Sequence, residues 1–139
     1  MTTEYIMHSV EETEAFGESL AKKYSAPHVF CLTGDLGAGK TAMTRGIARG
    51  YGFSGRVSSP TFTIMHVYEG DVPLHHFDLY RIEDEEELDA IGFDSFLREG
   101  ISVIEWPDAY AARIGTCTEI TITRISDEER KLSVKEIEA

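Results

Sequence analysis

The stretch Gly34-Asp35-Leu36-Gly37-Ala38-Gly39-Lys40-Thr41 fits the pattern G-x-x-x-x-G-K-S/T at every fixed position, and it restricts the fold more than any other feature of the chain. Glycines let a backbone wrap closely enough for successive N–H groups to point at phosphate oxygens. Lys40 adds a mobile positive charge. Thr41 is placed to set its hydroxyl on a magnesium ion, and the start of a following helix adds partial positive charge. The flanks have the required order. Val29-Phe30-Cys31-Leu32 reads as a buried parallel strand, and the stretch after Lys40 runs at helical spacing until Gly50 and Gly52. A glycine-rich turn that binds nothing has no use for the Lys-Thr pair.

A length of 139 residues suits one domain, residues 1–139, with one core. The net charge of −12 repels phosphate backbones, so tight binding of DNA or RNA by this chain alone is not expected. Cys31 and Cys117 lack metal-type spacing and read as free thiols of a reducing cytoplasm. The first residues lack a signal-peptide layout and no apolar run approaches about twenty residues, so a cytoplasmic protein without a membrane role is expected.

Ser9 with Glu12 reads as a capping box opening a helix with an apolar face of Ala15, Phe16, Leu20 and Tyr24. Pro60 holds Ser59 extended, and residues 61–68 and 74–80 form a hairpin around Glu69-Gly70-Asp71. Asp84 caps an acidic helix that ends at Gly92, and Asp94 caps a further short turn. Ile101-Ser102-Val103-Ile104-Glu105 is a second buried strand. Residues 119–125 and 131–137 alternate at period two and close the chain as an antiparallel hairpin with one wet face. The expected fold is α/β and like that of the P-loop NTPases: a central mixed and parallel sheet flanked by helices, ending in that hairpin.

Four groups outside the loop carry chemical candidates. Glu105 ends an apolar strand immediately before Trp106-Pro107, where an acidic magnesium group belongs; a solvated carboxylate is the alternative. Asp78 faces away from Phe77 and Leu79, either to orient water or to pair with Arg81 or Arg56. Thr61 follows Pro60 and sits where a phosphate-sensing threonine would. His75 and His76 are adjacent and point to opposite faces of a strand, so His66, His75 and His76 do not make one metal site. The run from Glu83 to Glu87 is a solvated helix face or a dock for a basic partner.

Taken together, the phosphate loop, Ser59-Pro60-Thr61-Phe62-Thr63, His76-Phe77-Asp78-Leu79-Tyr80-Arg81 and Ile104-Glu105-Trp106-Pro107 resemble the bacterial TsaE family over nearly the whole chain. The resemblance implies a small ATPase serving threonylcarbamoyladenosine modification of tRNA. It implies ATP and Mg2+ as cofactors, with Asp35, Leu36, Gly37, Ala38, Gly39, Lys40 and Thr41 around the phosphates. Thr41 and Glu105 would be the magnesium ligands, and Lys40, Thr61, Asp78 and Glu105 the groups needed for turnover. Trp106 would flank the nucleotide, Arg130 would lie close to it, and the segment from Ser9 to Thr13 would border the adenine. TsaB and TsaD are the implied partners, with tRNA reached only within their complex. The implied hydrolysis is slow alone, stimulated by partners, and resets the assembly. Two other readings stand beside it: a small nucleotide-dependent kinase or transferase, and an ATP-binding scaffold that does not hydrolyse. The chain has no arginine-rich lid segment to support the first of these.

Overall fold

The computed structural model describes residues 2–35, 38–58, 60 and 64–138. Leu36, Gly37, Ser59 and Thr61, all named above, lie outside the described residues. Seven strands form one sheet in the order β1-β7-β6-β2-β5-β4-β3: β1 (Thr2–Met7), β2 (His28–Thr33), β3 (Met65–Glu69), β4 (Pro73–Asp78), β5 (Ile101–Glu105), β6 (Cys117–Arg124) and β7 (Arg130–Ile137). The four central strands β6-β2-β5-β4 run parallel, and antiparallel partners extend the sheet at both edges. A mixed sheet with helices on its faces is the expected architecture.

The parallel centre follows from sequence composition. On β2, Phe30 and Leu32 point to one face and Val29 and Cys31 to the other, and all four are buried. A strand wrapped on both sides has to read as a continuous apolar run. Helices α1 (Val10–Lys23) and α2 (Lys40–Gly50) cover the first face, where Leu20, Met43 and Ile47 meet Phe30, Leu32 and Ile120. On the second face, Leu88 of α3 (Glu85–Ile91), Phe93 of α4 (Phe93–Leu97) and Ile114 of α5 (Ala111–Ile114) pack on Cys31, Phe77 and Ile104. Each fully buried large side chain contributes about 1.5–3 kcal/mol. No helix of the described residues is long and apolar enough to cross a membrane.

Local signals hold where a cap or turn states them. Ser9 Oγ accepts the Glu12 amide at 3.1 Å, while the Glu12 carboxylate takes the His8 amide at 2.8 Å and so closes the motif one residue early. Asp84 and Glu87 make the full reciprocal cap of α3, and Gly92 ends it. Two expectations are corrected, and one strand is added. On α1, Leu20 is buried and Phe16 and Tyr24 pack against the core as expected, whereas Ala15 is exposed and Thr13, Gly17 and Ala21 are buried as well, because α1 packs on α2 as well as on the sheet. Asp94 lies inside α4, whose cap is Gly92, because the chain re-enters helix directly after α3. The first six described residues form a strand on β7, where no strand is expected from the sequence.

The closeness of α1 and α2 has a specific cause. A Cβ built on Gly46 would stand 2.1 Å from the Glu14 carbonyl oxygen, so the two backbones touch there.

Candidate functional site

The described site residues expected from the sequence gather at the carboxyl ends of the parallel strands. The strand β2 delivers the chain into the loop, and α2 begins at Lys40 directly after Gly39, whose φ of 114° suits glycine. The neighbouring strand β5 pairs with β2 in register, setting Glu105 opposite Leu32 at the root of the loop. On its other side β5 pairs with β4, setting Asp78 opposite Glu105. Parallel topology thereby gathers three segments far apart in sequence, at the end of the sheet where α/β proteins hold ligands.

Glu105 is not a solvated strand-end carboxylate: it is 3% exposed. Its Oε1 lies 3.9 Å from Lys40 Nζ, and its Oε2 lies 2.5 Å from His76 Nε2. The Lys40 ammonium is itself buried, stands 3.9 Å from the centre of the Trp106 ring, and has no hydrogen-bond partner among the described residues. Burial pulls its pKa below the ordinary lysine value, and the carboxylates of Glu105, Asp78 and Asp35 push the other way without cancelling it. Such a donor fits a site for an anion, and the adjoining carboxylate fits a divalent cation beside it. Thr41, half-buried, follows Lys40 in the first turn of α2.

Asp78 is half-buried, and its Oδ1 accepts the Tyr80 amide at 3.0 Å, which fixes the carboxylate at the strand end beside Glu105. Trp106 is the one described non-glycine residue with positive φ, 59°, although it precedes proline, where an extended backbone is normal. That geometry costs on the order of 1–3 kcal/mol and turns the indole over Lys40, with Tyr80 packed on it at 4.9 Å between ring centres. Arg130, from the first position of β7, donates through Nε to the Ala38 carbonyl at 2.9 Å and through Nη1 to the Ser126 carbonyl at 2.7 Å. It braces the loop against the closing hairpin. Asp35 is exposed, and beside it an open depression of about 370 Å³ is lined by Gly34, Asp35, Ala38, Thr121, Thr123 and Arg124.

The structure thus brings Ala38, Gly39, Lys40, Thr41, Asp78, Glu105, Trp106 and Arg130 to one end of the sheet. Leu36, Gly37 and Thr61 fall outside the described residues. Two side chains at the site carried no chemical role in the sequence reading: His76, on the Glu105 carboxylate, and Tyr68, 3.2 Å from the other ring nitrogen of His76. The signal was present in strand alternation, since His76 shares a face with Asp78, and Tyr68 is a diagonal cross-strand neighbour of His76. His75 points to the opposite face, against Phe96.

A parallel sheet that feeds a glycine loop into a helix, beside a neighbouring strand tipped with a buried acid, defines an α/β protein of the phosphate-loop class. The family model for "Threonylcarbamoyl adenosine biosynthesis protein TsaE" matches residues 7–132, and the chain belongs to the TsaE family. It is 40% identical over 126 residues to the tRNA threonylcarbamoyladenosine biosynthesis protein TsaE of Bacillus subtilis (strain 168), covering 88% of this chain and 78% of that one. It is 32% identical over 131 residues to the protein of the same name from Treponema pallidum (strain Nichols), covering 93% of this chain and 97% of the relative. The crystal structure of YdiB from Bacillus subtilis superposes with a TM-score of 0.77 at 30% identity, over 99% of this chain and 86% of that one.

Proposed function

We propose that this protein binds Mg-ATP at the Lys40 end of the sheet and hydrolyses it in support of threonylcarbamoyl modification of tRNA, with TsaB and TsaD as partners. The observation that carries the reading is the buried Lys40 ammonium, without a hydrogen-bond partner among the described residues and 3.9 Å from a buried glutamate, in a chain of the TsaE family. In this reading Lys40 holds the terminal phosphates, and Thr41 and Glu105 hold the cation. A cation held by Thr41 and Glu105 would supply positive charge beside the terminal phosphates. Asp78, held by the Tyr80 amide, orients the attacking water together with Thr61. Trp106 shields the lysine from bulk water, and Arg130 keeps the loop in place through Ala38. The negative overall charge agrees with tRNA being met through partners rather than by this chain alone.

The test is a titration of ATP, with and without magnesium, into wild type and Glu105→Ala, read by the fluorescence of Trp106, the single tryptophan. Nucleotide binding is expected to persist in Glu105→Ala with weakened magnesium dependence; unchanged dependence removes Glu105 from the metal shell. Phosphate release is then measured alone and with TsaB and TsaD, with Lys40→Ala as control. Release that depends on the partners supports the ATPase. Absence of release under every condition replaces it with a scaffold.

A further inference from the structure

Beneath Glu105 runs a chain of polar contacts, buried at His76 and reaching the exposed Ser58, that the proposed catalytic groups leave unused. His76 is fully buried on β4. Its Nε2 meets Glu105 Oε2 at 2.5 Å, and its Nδ1 meets the Tyr68 hydroxyl at 3.2 Å. That hydroxyl donates to the Ser58 carbonyl at 2.8 Å and accepts the Ser58 amide at 3.3 Å. The carboxylate is therefore approached from two sides, with Lys40 beside Oε1 and His76 on Oε2.

A neutral imidazole carries one N–H and one acceptor nitrogen. In the tautomer whose Nε2–H donates to the Glu105 carboxylate, Nδ1 is the acceptor and shares the hydroxyl proton of Tyr68. Tyr68 has only that one proton, and the Ser58 carbonyl draws on it as well. Where the backbone at Ser58 sits therefore bears on how firmly His76 is held, and through His76 on which way the carboxylate faces. A histidine that only filled space would be replaceable by an apolar side chain at little cost. One that orients a ligand acts through its donor, as outer-shell partners of metal-binding groups do.

We infer that His76 and Tyr68 are positioning residues that orient the Glu105 carboxylate and tie it to the backbone at Ser58. The inference rests on the reading of Glu105 as a cation ligand for its functional consequence, and on geometry alone for the link itself.

The test uses the whole chain with Tyr68→Phe, His76→Leu and His76→Gln, each checked for folding by thermal melting. The first readout is the ¹⁵N and ¹H resonances of the His76 ring in protein free of nucleotide and metal. Tyr68→Phe keeps the aromatic ring and removes only the hydroxyl, so displaced His76 nitrogen resonances are expected. The second is the magnesium concentration that half-saturates its effect on ATP binding, read by Trp106 fluorescence. His76→Leu is expected to raise it about tenfold, the lower end of what outer-shell partners contribute, and Tyr68→Phe by less. His76→Gln, whose amide N–H can replace the lost donor, is expected to recover most of that loss. Unmoved His76 resonances in Tyr68→Phe, or magnesium curves unchanged in both Tyr68→Phe and His76→Leu while Glu105→Ala alters them, overturn the inference and leave the Glu105 reading intact. If Glu105→Ala itself leaves the magnesium curve unchanged, the cation reading falls, and the His76 resonances alone then uphold or overturn the link.

Discussion

Replacing Lys40 by methionine is expected to stabilise the ligand-free protein while removing its hold on nucleotide. At 3.9 Å and an effective dielectric of about 20, Glu105 Oε1 attracts the ammonium by about 4 kcal/mol. The Trp106 ring at 3.9 Å adds about 1 kcal/mol. Against these stands the removal of the ammonium from water, several kcal/mol even after relaxation. The two sides are similar in size, so the direction of the pKa decides the sign. It is lowered, burial outweighing Glu105, Asp78 and Asp35, which means that folding disfavours the charged form. A buried donor without an acceptor, as Lys40 is among the described residues, costs about 1–3 kcal/mol, and methionine removes it at similar length at the loss of the ring contact. The expected net gain is about 1–2 kcal/mol, or about 3–8 °C in Tm for a chain of this size.

The pH dependence gives a second check on Lys40. Between its depressed folded pKa and the ordinary value of 10.5, the unfolded chain holds a proton that the native state lacks, so wild-type stability rises with pH across that window. Lys40→Met lacks this rise. Its advantage should be largest at neutral pH and should shrink toward pH 10.5. Urea denaturation at pH 7 and pH 10, paired with an ATP titration read by Trp106 fluorescence, measures both effects. A variant less stable than wild type at pH 7, or an advantage that does not change with pH, would refute the claim that burial dominates at this lysine.

Two further outcomes concern the contact between α1 and α2. Gly46→Ala places a Cβ 2.1 Å from the Glu14 carbonyl oxygen and 2.9 Å from the Glu14 Cα, forcing the helices apart. Overpacking of about 1–3 kcal/mol outweighs a helix-propensity gain of up to about 1 kcal/mol, so urea denaturation should report a net loss; equal or greater stability would show that α1 yields freely. Burial alone would raise the Glu14 pKa, but Arg45 and Arg49 hold it below the ordinary value of 4.5. The stabilisation is then present above about pH 4.5 and is lost as pH falls through the folded value. Glu14→Gln should cost about 1 kcal/mol at pH 7, and its melting curve should converge on wild type in acid; a gap that persists at low pH would assign the effect to packing.

Features that a few neighbouring residues state in full were legible in the sequence. The phosphate pattern, the apolar runs that became β2 and β5, the Asp84–Glu87 cap and the closing hairpin all have local causes: backbone freedom, burial on two faces, or a satisfied helix end. Contacts assembled from distant segments were not legible. The residues Thr2–Met7 carry little apolar signal of their own and become a strand through their pairing with β7, more than a hundred positions away in sequence. The buried face of α1 extends to Thr13, Gly17 and Ala21 because Gly17 and Gly46 let two backbones meet, which no single-helix pattern reports.

The sequence by itself determined that a phosphate-type loop leads a helix out of a buried strand, and that an acid ends a second such strand. Only the tertiary structure decided that these strands are neighbours, with Glu105 buried against both Lys40 and His76 and with Trp106 turned over the lysine through a strained backbone. The physical reason is that a residue's type sets what it can donate, accept or bury, whereas strand order and register set which partner it meets.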